Sequence, residues 1–337
     1  MLRPRISIIT PVRNGLPYIR ECIESVIAQD YQDWELLISD NCSDDGTVQY
    51  LESINDPRIK LFRQQVNIGI FGNMNFLLKQ IKGEFCQVLC ADDFFVGTSA
   101  LAEIVRYWEL APPAIGFARF NHLEGSGTQT RLLERKLTPS VVTPAMADIW
   151  FFAFGNFPGN LSDTTFRTSI LKEVGEFNEE LPYAGDFDFW IRAAQKYSMG
   201  VEKLKVIHVR RHAQVASIYL NLKGELYRQH IYIYENLIQR LSGQYDRQQL
   251  INYFNFTIAA QHYRKALKFA LRGQFAYLKI FLASKSNLDL PKWYQLIVCL
   301  PYALFNVDHR LTVRMAHRLV LKGKFKFTHP TAPANAL

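Results

Sequence analysis

The chain has 337 residues, 48% of them apolar, enough for one large domain or one domain with a substantial appendage. Its net charge of +8 is uneven: residues 220–337 hold 17 Lys+Arg against 5 Asp+Glu, leaving 22 against 26 in residues 1–219. The basic character belongs to the tail, which suggests two parts with different partners. The five cysteines (Cys22, Cys42, Cys86, Cys90, Cys299) form no CxxC pair and no zinc spacing, so they read as reduced thiols of a cytosolic protein, with Cys86 and Cys90 packed in the core. No uninterrupted apolar stretch of about 18 residues is present, which excludes a spanning helix, and MLRPRISIITPVRNG turns too early for a signal peptide.

In chain order, RISIIT reads as a strand closed by Pro11, and Tyr18 to Ala28 has helical spacing. WELLIS (34–39) is a second strand, followed by a polar turn and a helix over 47–54. RIKLFR (58–63) is a third strand, 71–82 a helix, and EFCQVLCA (84–91) a fourth strand ending on Asp92 and Asp93. Short apolar runs alternating with helices predict βαβ units and a mainly parallel sheet. Ligands of such sheets sit beyond the carboxyl ends of the strands. Polar residues follow the strands as that rule requires: Pro11, Arg13 and Asn14 after the first, SDNCSDDGT after the second, Asp92-Asp93 after the fourth.

There is no GxGxxG and no P-loop, and Gly69 and Gly72 in NIGIFGN have the wrong spacing, so a dehydrogenase or P-loop kinase is excluded. An acidic pocket that binds phosphate needs a divalent cation, and Mg²⁺ or Mn²⁺ takes carboxylate ligands.

In this order, ISIITPVRNG, LLISDNCSDDGT, NIGIFGNMN, KGEFCQVLCADD, VGEFNEELPYAGDFDFWIR and RRH resemble the family 2 glycosyltransferases of the GT-A fold. The resemblance covers about residues 5–215. It implies a Rossmann-like mixed, mainly parallel sheet flanked by helices over residues 1–218, with a basic, aromatic helical extension over 219–337. It also implies an inverting, metal-dependent enzyme that moves a sugar from a nucleoside-diphosphate sugar to an acceptor hydroxyl. By the same resemblance, Pro11, Arg13, Asn14, Asp40, Asn67, Gly69, Asn75 and Asp92 surround the nucleotide-sugar. Asp93 and His212 fall at the metal and diphosphate, and Asp186 matches the catalytic base. Arg13, Met74, Cys90 and Gly185 depart from the family's usual tyrosine, arginine, aspartate and glutamate, and Asn41-Cys42 from its Asp-Gly.

Each of these residues also has a plainer reading. Asp40 could cap a helix, Asn67, Gly69 and Asn75 could shape a turn, and Arg13 and His212 could be solvated. In AGDFDFWIRAA, Asp186 and Asp188 both lie at a helix start, where free N–H groups favour carboxylates. The reading takes Asp186 as base, Asp188 as a helix-stabilising residue, and Gly185 as room for the acceptor.

The tail mixes Lys/Arg with Trp, Tyr, Phe and Leu, and its apolar patch over 294–307 is broken by Gln295 and Pro301. That patch is too short to span a bilayer but suited to lying in its interface, or to packing on the core. No nucleic-acid motif is present. The expected role is extension of a glycan or lipid-linked acceptor in bacterial cell-envelope synthesis, in the cytoplasm or at the inner membrane face. Two alternatives remain, a nucleotidyltransferase and a non-catalytic nucleotide-sugar-binding protein. The first usually has a Gly-rich basic loop after strand one, which TPVRNGLPY does not supply.

Overall fold

The computed structural model describes residues 4–123, 134, 136–210, 223–285, 292–305 and 315–320. Strands β1 (Ile6–Val12), β2 (Trp34–Asp40), β3 (Ile59–Arg63) and β4 (Phe85–Val88) pair in parallel in the order β3-β2-β1-β4. Helices α1 (Leu16–Ile27), α2 (Thr47–Glu52) and α3 (Ile70–Leu78) connect them. β2 is buried throughout and β1 nearly so, as strands covered on both faces must be. Successive side chains serve opposite layers. Ile6, Ile8, Leu36 and Ile38 pack with Cys22 and Ile23 of α1, while Ile9 and Leu37 pack with Phe71, Met74 and Leu77 of α3.

Two boundaries differ from the sequence reading. β1 continues through Pro11 to Val12, because β4 pairs only with Ile6–Ile9. The carbonyl of Val12 accepts from Asn41 on the β2 side, so the missing N–H of Pro11 faces the side where pairing has already ended. The strand expected over 84–91 stops at Val88, leaving Cys90 beyond it and half-buried; only Cys86 lies in the core.

Strands β5 (Phe94–Phe95), β6 (Ile115–Leu123), β7 (Val141–Val142), β8 (Thr164–Arg167) and β9 (Ser198–His208) extend the sheet to β3-β2-β1-β4-β8-β6-β9-β5, with β7 on β9. β8 is antiparallel to both β4 and β6, so the sheet is mixed but mostly parallel in its first half. Helices α4 (Ala100–Leu110), α5 (Pro144–Phe154), α6 (Leu171–Val174) and α7 (Gly185–Ala194) complete this part. The α/β class and the mixed, mainly parallel sheet flanked by helices expected from the sequence are those observed.

The second part is helical: α8 (Glu225–Leu241), α9 (Arg247–Phe254), a π turn (Asn255–Ala259), α10 (Ala260–Ala270), α11 (Ala276–Ala283) and α12 (Lys292–Phe305). It packs directly on the sheet part. Tyr253 donates to the carbonyl of Ala153 (2.5 Å), Arg240 forks onto Asp148, and Tyr234 and Phe254 share a hydrophobic cluster with Phe152 and Phe187. The expected boundary at 218/219 falls in 211–222, outside the described residues. Gln295, which interrupts the apolar patch in the sequence, faces inward on α12 and donates to Asn255 (2.8 Å). The outward face carries Trp293, Ile297, Leu300 and Leu304, all exposed and at helical spacing. Among the described residues, no helix is long and apolar enough to cross a membrane.

Candidate active site

The loops after β1 and β2 are tied to each other. Asn14, in a left-handed conformation (φ 52°), donates its N–H to Ser43 Oγ (2.8 Å) and accepts from the N–H of Asp44 through Oδ1 (3.0 Å). Asp40 closes β2 with its carboxylate buried. Oδ2 accepts from the N–H of Ser43 (3.0 Å), whereas Oδ1 is buried with no hydrogen-bond partner among the described residues. An orphaned carboxylate oxygen at the carboxyl end of a parallel strand is a site for a donor hydrogen. Pro11 is half-buried beside it, and Arg13 is exposed.

Asn67 and Gly69 are fixed through Asn41, a residue that the sequence reading noted only as a departure. Asn41 Nδ2 donates to Asn67 Oδ1 (2.9 Å) and to the Gly69 carbonyl (3.0 Å), and its Oδ1 accepts from the N–H of Ile68 (2.9 Å). Gly69 takes φ +80° at the start of α3, which a side chain would strain. Asn75 is placed differently from the expectation. Its amide donates to the carbonyl of Phe177 (3.0 Å) and to Glu179 (2.9 Å), and its oxygen accepts from the N–H of Phe177. Both ends are thus engaged within the fold, where they pin the loop before α7 onto α3.

The acids after β4 divide their work. Asp93 is 3% exposed; its Oδ2 accepts from Ser162 Oγ (2.6 Å) and its Oδ1 from the N–H of Arg210 (2.9 Å). Burial, and then the charge of Asp92, push its carboxyl up to about 7. Asp92 is half-exposed, and its carbonyl accepts from Arg210 Nε (3.0 Å). Arg210 is itself held by Glu21 (2.6 Å) and lies over the rings of Tyr18 and Phe94. The ligating atoms of Cys90, Asp92 and Asp93 lie within 4.8 Å of one another. Two crowded carboxylates, one with a raised pKa, fit a divalent cation that draws its remaining ligands from water and phosphate. Of the two, Asp92 is half-exposed and Asp93 buried, and both would serve as ligands of such a cation. His212, expected near the diphosphate, lies outside the described residues.

Asp186 sits in the first turn of α7. Oδ1 accepts from the N–H of Phe187 (2.8 Å) and Oδ2 from the amide of Asn156 (2.8 Å). Burial raises its carboxyl to about 6, partly offset by those two bonds, and no ion pair involves it among the described residues. Asp188 is different in kind, since Arg192 neutralises it (2.8 Å) and also donates to the carbonyls of Val174 and Glu176. Gly185 does not open space. A Cβ there would lie 2.7 Å from the ring of Phe71 and 3.0 Å from the carbonyl of Asn178, so the glycine admits a packed aromatic rather than an acceptor.

The loop Gly155–Asp163 links the two acidic ends. Asn156 grips Asp186, Ser162 grips Asp93, and between them the carbonyl of Phe157 accepts from Arg119 of β6. Arg119 forms a buried ion pair with Glu134 (3.0 Å). None of these residues stood out in the sequence. GNFPGNLSD carried only turn signals, and its partners lie 30 and 69 residues away.

Residues 7–171 match the family model described as glycosyl transferase family 2. An uncharacterized glycosyltransferase of Haemophilus influenzae is 26% identical over 238 residues, 66% of this chain and 70% of that protein. Two similar Rickettsia proteins are longer, and the chain spans only 35% and 32% of their lengths. GalNAc(5)-diNAcBac-PP-undecaprenol beta-1,3-glucosyltransferase of Campylobacter jejuni is 28% identical over 59% of this chain and 63% of its own. Among solved structures, S. aureus TarS 1-349 in complex with UDP-GlcNAc aligns with a TM-score of 0.57 at 18% identity, covering 94% of this chain and 91% of that one. The mannosyltransferase PcManGT from Pyrobaculum calidifontis, in complex with GDP-Man and Mn²⁺, gives 0.54 at 19%, covering 95% and 86%. The motif order, the sheet topology and the family match agree: residues 7–171 form a glycosyl transferase family 2 region.

Proposed function

We propose that the chain is an inverting glycosyltransferase that moves a sugar from a nucleoside-diphosphate sugar to a hydroxyl of a lipid-linked or glycan acceptor in bacterial cell-envelope synthesis. The observation that carries this reading is the Gly155–Asp163 loop. Through Asn156 it bonds Asp186, a carboxylate with no ion pair among the described residues, and through Ser162 it bonds Asp93 of the acidic cluster, both from one short segment. That is the pairing a single displacement needs, with a base on one side of the anomeric carbon and a charged leaving group on the other.

Asp40 receives a hydrogen-bond donor from the base through its orphaned Oδ1, with Pro11, Arg13 and Asn14 flanking the nucleotide and Asn67 and Gly69 shaping the adjoining loop. Asp92 and Asp93 would hold a divalent cation, which when bound would neutralise charge on the diphosphate. Asp186 accepts the proton of the acceptor hydroxyl. The relatives and neighbours whose names carry an undecaprenol-linked substrate, UDP-GlcNAc, GDP-Man and Mn²⁺ support these classes without fixing the base, the sugar or the metal.

The helical part brings the enzyme to an anionic lipid surface through α12. Its outer face presents Trp293, Ile297, Leu300 and Leu304. From Arg247 to the end the chain holds 14 Lys+Arg, with Asp289 and Asp308 as the only acids. An apolar stripe on a cationic unit suits the interface of an acidic bilayer.

The decisive experiment screens UDP-, GDP- and dTDP-sugars by thermal shift with Mn²⁺, then measures turnover of the ligand found in Asp186→Asn. Donor affinity should persist while turnover falls roughly 10²–10⁴-fold. Unchanged turnover would remove Asp186 as base. Donor binding with no transfer or hydrolysis by the wild type would favour a non-catalytic binding protein.

A further inference from the structure

We propose that Asn156 is a positioning residue for the transfer reaction, its side-chain amide fixing the Asp186 carboxylate in orientation and in its proton-accepting form. This rests on the assignment of Asp186 as base.

The asparagines of the site differ in how their amides are used. Asn41 and Asn75 engage both ends within the fold: each donates twice, and each oxygen accepts a backbone N–H. They are structural by that measure. Asn156 donates from Nδ2 to Asp186 Oδ2 (2.8 Å), while its Oδ1 is buried with no hydrogen-bond partner among the described residues. An amide oxygen buried unpaired costs stability, so a residue kept only for the fold would be better replaced by an apolar one. The cost is understandable if the other end has work to do.

The setting is rigid. Asn156 follows the end of α5, where Gly155 turns the chain with φ +70°. Phe157, next to it, is buried against the ring of Phe151 (4.7 Å), and its carbonyl is held by Arg119. The amide therefore reaches Asp186 from a fixed platform. With the Phe187 N–H on Oδ1 and Asn156 on Oδ2, the carboxylate is held against rotation about its terminal torsion while acceptor capacity remains for an incoming hydroxyl.

Among the described residues, no charge substitutes for the amide. On α7, Asp188 is paired with Arg192, and on α5 Asp148 is paired with Arg240. α3, whose Phe71 packs on Gly185, carries no titratable side chain. On α6, Glu173 is within reach of Lys196 and Tyr197. On α8, His230 meets the edge of Phe187 and is held neutral, its pKa lowered to about 4 by burial. Hydrogen bonds from the backbone N–H groups of Phe187 and of Asp186 itself and from Asn156 oppose the cost of burying the Asp186 charge, and among the described residues Asn156 supplies the only one from a side chain.

The test uses the full chain with ¹³Cγ-labelled aspartate, the Asp186 signal being assigned by its loss in Asp186→Asn. In the wild type it should titrate near 6. In Asn156→Leu, which removes the donor and the orphaned oxygen together, the midpoint should rise by about one pH unit. The variant should melt no lower than wild type, yet turn over the donor found by screening about 10²-fold more slowly, with donor KM unchanged. Asn156→Gln, which retains an amide, should recover part of the rate. Asn156→Asp should raise the midpoint further, because it sets a like charge against Asp186. Asn156 is overturned as a positioning residue if the midpoint stays put in both Leu and Asp variants, or if activity falls only in step with lost folding. Normal turnover by Asp186→Asn would instead overturn the base assignment, and the titration would still report on the contact.

Discussion

Gly185→Ala separates two explanations of the glycine before Asp186. At the first position of α7 its backbone is not left-handed, so alanine is conformationally allowed and should add up to about 1 kcal/mol of helix propensity. Packing opposes this. The new methyl would lie 2.7 Å from two ring carbons of Phe71, where about 3.5–4.0 Å is normal. Phe71 has little room to retreat, because it stacks on Phe177 (5.3 Å), which stacks on Phe189 (4.3 Å), all within the buried core. Overpacking of that kind costs about 1–3 kcal/mol, so the net effect is a loss of about 1–2 kcal/mol. Urea unfolding should show a lower midpoint with unchanged m. Phe71→Leu, destabilising alone, should cost less in the Gly185→Ala background, since the smaller side chain relieves the overlap. A Gly185→Ala protein as stable as wild type with a raised acceptor KM would refute the packing argument and restore the glycine as acceptor space.

Two further outcomes follow from the site and the helical part. Asp92→Asn, or EDTA on the wild type, should abolish the Mn²⁺-dependent part of donor stabilisation, the whole of which amounts to about 2.7 kcal/mol at 100 times the dissociation constant; donor binding indifferent to both would remove the cation from the site. Ile297→Glu with Leu304→Glu changes only exposed residues, so folding should be retained while sedimentation with phosphatidylglycerol vesicles is lost and wild-type binding weakens with salt. Wild type that ignores such vesicles, or a dimer that the double variant dissolves, would assign the α12 face to another partner.

Much of the fold was legible because its signals are local. The runs ISIIT, WELLIS and IKLF are short, apolar and closed by turn residues, so the strands β1, β2 and β3 and the helices between them could be placed from periodicity. The rule that ligands lie beyond strand ends then picked out Asp40 and Asp92 without a structure. Cys90 was misplaced for a non-local reason. Beyond Val88 its N–H is taken by Ser162 Oγ (2.9 Å) instead of a strand neighbour, and nothing near residue 90 announces a partner 72 positions away.

The sequence by itself determined the order of elements, the acids after the second and fourth strands, and the choice between Asp186 and Asp188 as a question worth asking. What tells the two acids apart comes only from the tertiary structure. Asp188 meets Arg192 one turn along its own helix, whereas Asp186 meets the amide of Asn156 from another segment, and of the two only Asp186 lacks a counter-ion among the described residues. Likewise Asp93 is buried and Asp92 half-exposed because Ser162 and Arg210, 69 and 117 residues distant, bond the carboxylate of Asp93. The physical reason is the same in both cases. Whether a carboxylate is paired, buried or accessible is a property of its surroundings in space, and those surroundings come from parts of the chain that sequence spacing does not bring together.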